Sequence, residues 1–191
     1  AGFNVDYVGI VATPCVSLMT QKLEYCCGVV ISASHNPYYD NGIKFFSSKG
    51  EKLADEIELE IEKEIDCLQN WEYLKVDSNF NKTDGFGFYR DFCRENFKLD
   101  FHGLRIVLDC ANGAFYEFAP RILREFGADV QAIFAQPNGR NINDGCGSTH
   151  IETLANYVKE NQNCDISFAF DGDGDRVMII RSDGKVLDGD F

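Results

Sequence analysis

The chain has 191 residues, with 18 Lys and Arg against 31 Asp and Glu, leaving a formal net charge of −13 at pH 7. Acidic excess on this scale repels polyanions and anionic lipid surfaces, so nucleic acid and membranes are excluded as general partners. Hydrophobic residues at 45% and charged residues at 26% are the balance of a folded chain with a sizeable core, long enough for one large domain or two small ones.

In chain order, residues 5–11 form a strand-like apolar run. The Thr13-Pro14 pair after it places a cap-like residue before a helix-compatible proline, so strand then helix is the first expected unit. Residues 27–31 are a second apolar run, the polar stretch 32–41 is a loop, and residues 43–46 read as the next strand. After a turn at residues 47–50, Ile57, Ile61, Ile65 and Leu68 recur at helical spacing, which predicts a helix with one buried face. Its Glu58, Glu60, Glu62 and Glu64 belong to the solvated face. Residues 70–83 lose periodicity and gain Asn, Asp and Lys, as a linker or surface loop does. A domain boundary follows, dividing the chain into 1–84 and 85–191.

The second part reads as a helix (86–97), a strand (104–109), a turn (111–113), a helix (119–126) and a strand (129–134). A long loop (135–149), a helix (151–161), a strand (166–170) and a hairpin (177–187) complete it. Such alternation predicts α/β architecture, with two consecutive domains of mixed, mainly parallel sheet flanked by helices.

No apolar run approaches the ~20 residues of a membrane helix, and residues 1–11 lack a basic segment followed by an apolar stretch, so a soluble chain is expected. The eight cysteines form no CxxC pair, and His35, His102 and His150 stand at no zinc-like spacing. Several cysteines sit in apolar runs, where a reduced thiol acts as a small hydrophobe, and this points to the cytoplasm.

Two loops carry chemistry. Ser32-Ala33-Ser34-His35-Asn36-Pro37 directly follows an apolar strand, where α/β sheets place ligands, and Ser34 is a candidate nucleophile. A polar turn fixed by proline is the alternative for this loop alone. A Ser-His-Asp hydrolase is disfavoured, because no Gly-x-Ser-x-Gly elbow is present. The second loop, Asp171-Gly172-Asp173-Gly174-Asp175-Arg176, sets carboxylates at every second position after an apolar strand. Glycines between them let the backbone curl so that three hard oxygen ligands converge on one small divalent cation. A calcium loop of EF-hand type would need flanking helices, and strands are expected here. Magnesium shares its shell with phosphate oxygens, so a phosphate on Ser34 would let the loops explain each other. Arg176 adds a planar donor fork beside the metal, and Lys44 is a proton carrier or charge partner for Ser34.

Residues 28–46 and 169–176, with Ser32-Ala33-Ser34-His35-Asn36-Pro37 and Asp171-Gly172-Asp173-Gly174-Asp175-Arg176 inside them, resemble the α-D-phosphohexomutase superfamily. Residues 107–114 and 137–143 carry the likeness through the rest of the chain, and the phosphoglucosamine mutase branch is the best match. The resemblance implies an enzyme interconverting glucosamine 6-phosphate and glucosamine 1-phosphate through a phosphoserine at Ser34 and a bisphosphate intermediate. It further implies one Mg2+ held by the Ser34 phosphate with Asp171, Asp173 and Asp175, and glucosamine 1,6-bisphosphate as activator. Lys44 takes the place of the general base, Arg176 that of the arginine beside the metal, and His35 helps shape the phosphorylation site. The partner is a small phosphosugar, with no nucleic acid and no membrane; oligomeric state is not legible.

Superfamily members have four domains around a cleft, and this chain corresponds to most of the first and nearly all of the second. Turnover by this polypeptide alone is therefore expected to fail, and apolar surface is expected to be exposed on the first domain. Phosphomannomutase or phosphoglucomutase activity is the alternative within the superfamily. Outside it stand a phosphatase using the same metal and a non-catalytic metal or sugar-phosphate binding module.

Overall fold

The computed structural model describes residues 4–67, 80–161 and 163–187. Its sequence-distant half is built around strand β5 (Arg105–Asp109), whose residues 106–109 are all buried. A strand apolar on both sides must be covered on both sides, and β5 lies between parallel neighbours, β6 (Asp129–Ile133) and β7 (Ile166–Phe170). β8 (Val177–Arg181) and β9 (Val186–Leu187) extend the sheet antiparallel, in the order β6-β5-β7-β8-β9.

Successive side chains of β5 face opposite ways and seed two cores. Ile106 and Leu108 pack with Ala119 of helix α4 (Phe118–Glu125), while Val107 packs with Leu154, Ala155 and Val158 of α5 (Ile151–Asn161). A third, aromatic cluster joins helix α3 (Gly85–Asn96) to α4 through Phe86, Tyr89, Phe118 and Ile122. Asp84 caps α3, its carboxylate accepting from the Gly87 amide at 2.9 Å.

In the other half, helix α1 (Thr13–Lys22) lies on one face of an antiparallel hairpin, β2 (Cys27–Ser32) with β3 (Gly42–Ser47). Gly28 makes this approach possible, since a Cβ there would collide with the Thr20 side chain. The opposite face of the hairpin is apolar and open, with Ile31 75% exposed beside Val29 and Ile43, as anticipated for the first domain.

Several expectations need correction. The run 5–11 is a strand only at β1 (Asp6–Tyr7), because Gly9 at φ +86 turns the chain out of extended geometry. Its partner is β4 (Asn81–Lys82), paired parallel, so the end of the presumed linker is a strand; residues 70–79 lie outside the described residues. Helix α2 (Asp55–Cys67) forms, yet it has no buried residue: Ile57 is 46% and Ile65 44% exposed, and Leu68 lies outside the described residues. Thr13 does not cap α1. Ala12 holds the N-cap position without a side-chain bond, and the Thr13 hydroxyl is spent elsewhere.

Candidate active site

β7 ends at Phe170 and releases the loop 171–176 at the carboxyl edge of the sheet, the usual ligand position of α/β folds. Asp171 and Asp173 are buried and Asp175 is partly exposed, with one oxygen from each lying within 4.8 Å of the others. The curl that gathers them uses Gly174 at φ +72 and an amide of Gly174 donating to the Asp171 carbonyl at 3.1 Å. The Arg176 amide donates to Asp171 Oδ1 at 3.1 Å, whereas Asp171 Oδ2 and Asp173 Oδ1 are buried with no hydrogen-bond partner. Buried carboxylate oxygens left unpaired are costly, and a divalent cation is the group that such a donor set fits.

The electrostatics agree. Burial, reinforced by the charges of Asp173 and Asp175, pushes the Asp171 carboxyl up to about 7. Burial pushes Asp173 in the same direction, but hydrogen bonds from Lys44 and Thr13 overcome it and hold that carboxyl below its ordinary value. Burial would likewise lower Lys44, and its bonds to Asp173 and Asp175 outweigh this and raise it.

Ser34 is brought to the same place from the end of β2. Its amide donates to Ser32 Oγ at 2.9 Å, and its φ of 54 lies in the left-handed region. The β2–β3 register sets Lys44 opposite Val30, on the face shared with Ser32, and its Nζ reaches three groups. It lies 2.6 Å from Asp173 Oδ2, 3.0 Å from Asp175 Oδ2 and 3.4 Å from Ser34 Oγ. Ser34, Lys44, Asp171, Asp173 and Asp175 thus form one cluster. Arg176 contributes its amide there, while its guanidinium is half exposed with Nε 4.0 Å from Asp175. His35 neighbours Ser34 with its Nδ1 buried and unpartnered.

Two further residues complete the site, and the sequence reading assigned neither to it. Thr13 Oγ1 donates to Asp173 Oδ2 at 2.6 Å while the Thr13 amide donates to the Asp173 carbonyl at 2.8 Å. Asn143 Nδ2 donates to the Ser34 carbonyl at 2.8 Å and the Asn36 carbonyl at 2.9 Å. The one available signal for Thr13 was its place before Pro14 at the end of an apolar run, which reads equally as a cap.

Residues 1–70 match the family described as phosphoglucomutase/phosphomannomutase, alpha/beta/alpha domain I, and residues 88–184 match domain II of the same family. The chain belongs to the phosphoglucomutase/phosphomannomutase family. Among curated members, the phosphoglucosamine mutase of Psychromonas ingrahamii is 48% identical over 196 aligned positions, covering 100% of this chain and 43% of the relative. That of Xanthomonas campestris is 48% identical over 193 positions with the same coverage. The chain thus spans less than half the length of the curated relatives it matches. A solved family protein from Burkholderia thailandensis superposes with a TM-score of 0.78 at 26% identity, covering 97% of this chain and 42% of that one. Two consecutive α/β units are the family's domains I and II, as the alternation of strands and helices foretold.

Proposed function

We propose that this chain supplies the phosphoserine and metal half of a phosphosugar mutase site, acting on glucosamine 6-phosphate and glucosamine 1-phosphate. The observation that carries the reading is the convergence of Ser34 Oγ, Lys44 Nζ and three carboxylates from two loops far apart in sequence. The glucosamine preference rests on the phosphoglucosamine mutases being 48% identical relatives. Asp171, Asp173 and Asp175, with a phosphate on Ser34, would hold Mg2+, which when bound draws charge from the phosphoryl group and makes phosphorus more electrophilic.

In the proposed transfer, the P–O bond to Ser34 Oγ breaks as a sugar hydroxyl oxygen bonds phosphorus, and the hydroxyl proton must leave. Lys44, an ammonium whose Nζ lies 3.4 Å from Ser34 Oγ, is placed to give a proton to the departing seryl oxygen and, once neutral, to take up the proton of the sugar hydroxyl. The Arg176 guanidinium, exposed at the mouth of the cluster, offers a donor fork to substrate oxygens, and His35 helps shape the Ser34 loop. Residues 1–84 and 85–191 are taken as the two domain units, glucosamine 1,6-bisphosphate as the activator, and the cytoplasm as the compartment. The last is supported by eight free thiols, five of them buried.

The test is intact mass with peptide mapping, before and after incubation with magnesium and glucosamine 1,6-bisphosphate. One phosphoryl group on Ser34, and none on a Ser34→Ala variant, is the expected result. Continuous release of inorganic phosphate would instead indicate water as acceptor and a phosphatase. A full chain that takes no phosphate on Ser34 overturns the reading.

A further inference from the structure

Ser34 sits in a left-handed backbone conformation that serine seldom adopts, so the surroundings must hold it there. Its own peptide groups are both taken by side chains: the amide by Ser32 Oγ and the carbonyl by Asn143 Nδ2. The second of these bonds crosses from the long loop after β6 and spans 109 positions of sequence. We infer that Asn143 is a positioning residue, whose carboxamide sets the Ser34 loop at its working distance from the carboxylate cluster. This deepens the mutase reading and rests on it for the phosphoryl step.

The carboxamide is suited to that task because it is itself fixed. Asn143 is 6% exposed, and its amide donates to the Ala111 carbonyl at 2.9 Å. The loop leading to it is tied to the end of β5 through Asn112, whose Oδ1 accepts from the Gln136 amide and whose Nδ2 donates to the Asn141 carbonyl. Asp109, buried at the end of β5, accepts from the amides of Ala111 and Gly147 and so ties the far end of that loop to the turn after β5. Asn143 also stands at φ 57, a left-handed value that asparagine tolerates better than most residues. On the other flank the Ser34 carbonyl is close against Gly172, where a Cβ would come within 2.5 Å of it. The loop is therefore held between a donor on one side and the metal-loop backbone on the other.

The Asn143 Oδ1 atom is buried without a partner. The carboxamide's hold on the Ser34 loop therefore runs through Nδ2 alone, which bonds the carbonyls of Ser34 and Asn36. Two replacements separate the roles. Asn143→Gly keeps the left-handed backbone and removes the donor, and Asn143→Asp keeps the shape but turns acceptor oxygens toward two carbonyls.

The experiment follows the rate of Ser34 phosphorylation by glucosamine 1,6-bisphosphate in the full chain at saturating magnesium, alongside magnesium affinity and amide hydrogen exchange. Both variants are expected to slow phosphorylation roughly ten- to hundredfold, the scale of a misplaced reacting group. Magnesium affinity should stay close to the parent's, while amides of residues 33–36 lose protection. A parent-like rate in Asn143→Gly overturns the inference. If the parent itself takes no phosphate, the mutase reading fails and exchange alone decides the anchor: lost protection at 33–36 in both variants supports it, and unchanged protection refutes it.

Discussion

At the scale of single residues, Asp173 shows how the site is kept in tension between order and charge. Its Oδ2 receives Thr13 and Lys44, each at 2.6 Å, while its Oδ1 is buried and unpaired. Thr13→Val keeps the shape and deletes one charge-assisted donor, so it should lower unfolding free energy by about 1–3 kcal/mol in a urea melt. Thr13→Ser, which keeps the hydroxyl, should lie near the parent. Asp171 behaves oppositely. Its carboxyl is raised from 3.8 to about 7, first by burial, so its ionisation opposes folding, and its contribution is lost as pH rises through that window. Asp171→Asn is therefore expected to raise the thermal midpoint of the ion-free chain at pH 8 while abolishing stabilisation by magnesium. A lowered midpoint would show that the ionised carboxylate supports the fold. The three aspartates were legible because their chemistry and their spacing lie within one short segment. Thr13 and Asn143 were not, since their partners stand 160 and 109 positions away and only the folded backbone joins them.

At the scale of elements, strand identity was readable from short apolar runs, as in β2, β5 and β7, and the two site loops follow directly from where β2 and β7 end. Periodicity was less informative for α2. The spacing of Ile57, Ile61 and Ile65 does produce a helix, but periodicity reports a face that could be covered and says nothing of whether a cover is present. α5 is the contrast: Leu154 and Val158 are fully or nearly fully buried against Val107 and Ile180. Leu154→Ala should cost about 2–5 kcal/mol, the range for deleting a buried leucine side chain. Ile65→Lys on α2 should change stability by no more than about 0.5 kcal/mol, as at an ordinary surface position. Denaturant melts of the two variants check both values, and a large loss from Ile65→Lys would mean that α2 is covered in solution.

At the scale of the whole molecule, the cluster joins parts of the chain that share no sheet. Thr13, Ser34 and Lys44 come from the α1 and β2–β3 half, and the aspartates come from the loop between β7 and β8. A cation held by the aspartates removes their mutual repulsion at this joint, in a chain that already carries a net charge of −13. Binding to the folded state alone stabilises by mass action, about 2.7 kcal/mol at a hundred times Kd. Magnesium should therefore raise the unfolding midpoint of both halves together, followed through a urea series by hydrogen exchange with the amides of β2 and β3 as one probe and those of β5 and β7 as the other. EDTA should reverse the rise. Sodium chloride at matched ionic strength should reproduce only the part due to screening, and Asp173→Asn should abolish the part that saturates. A rise confined to one probe would mean that the halves unfold separately and that the ion steadies only the loop 171–176. A rise shared by both, saturating with magnesium and absent in Asp173→Asn, would make the carboxylate cluster the element that couples the two α/β units.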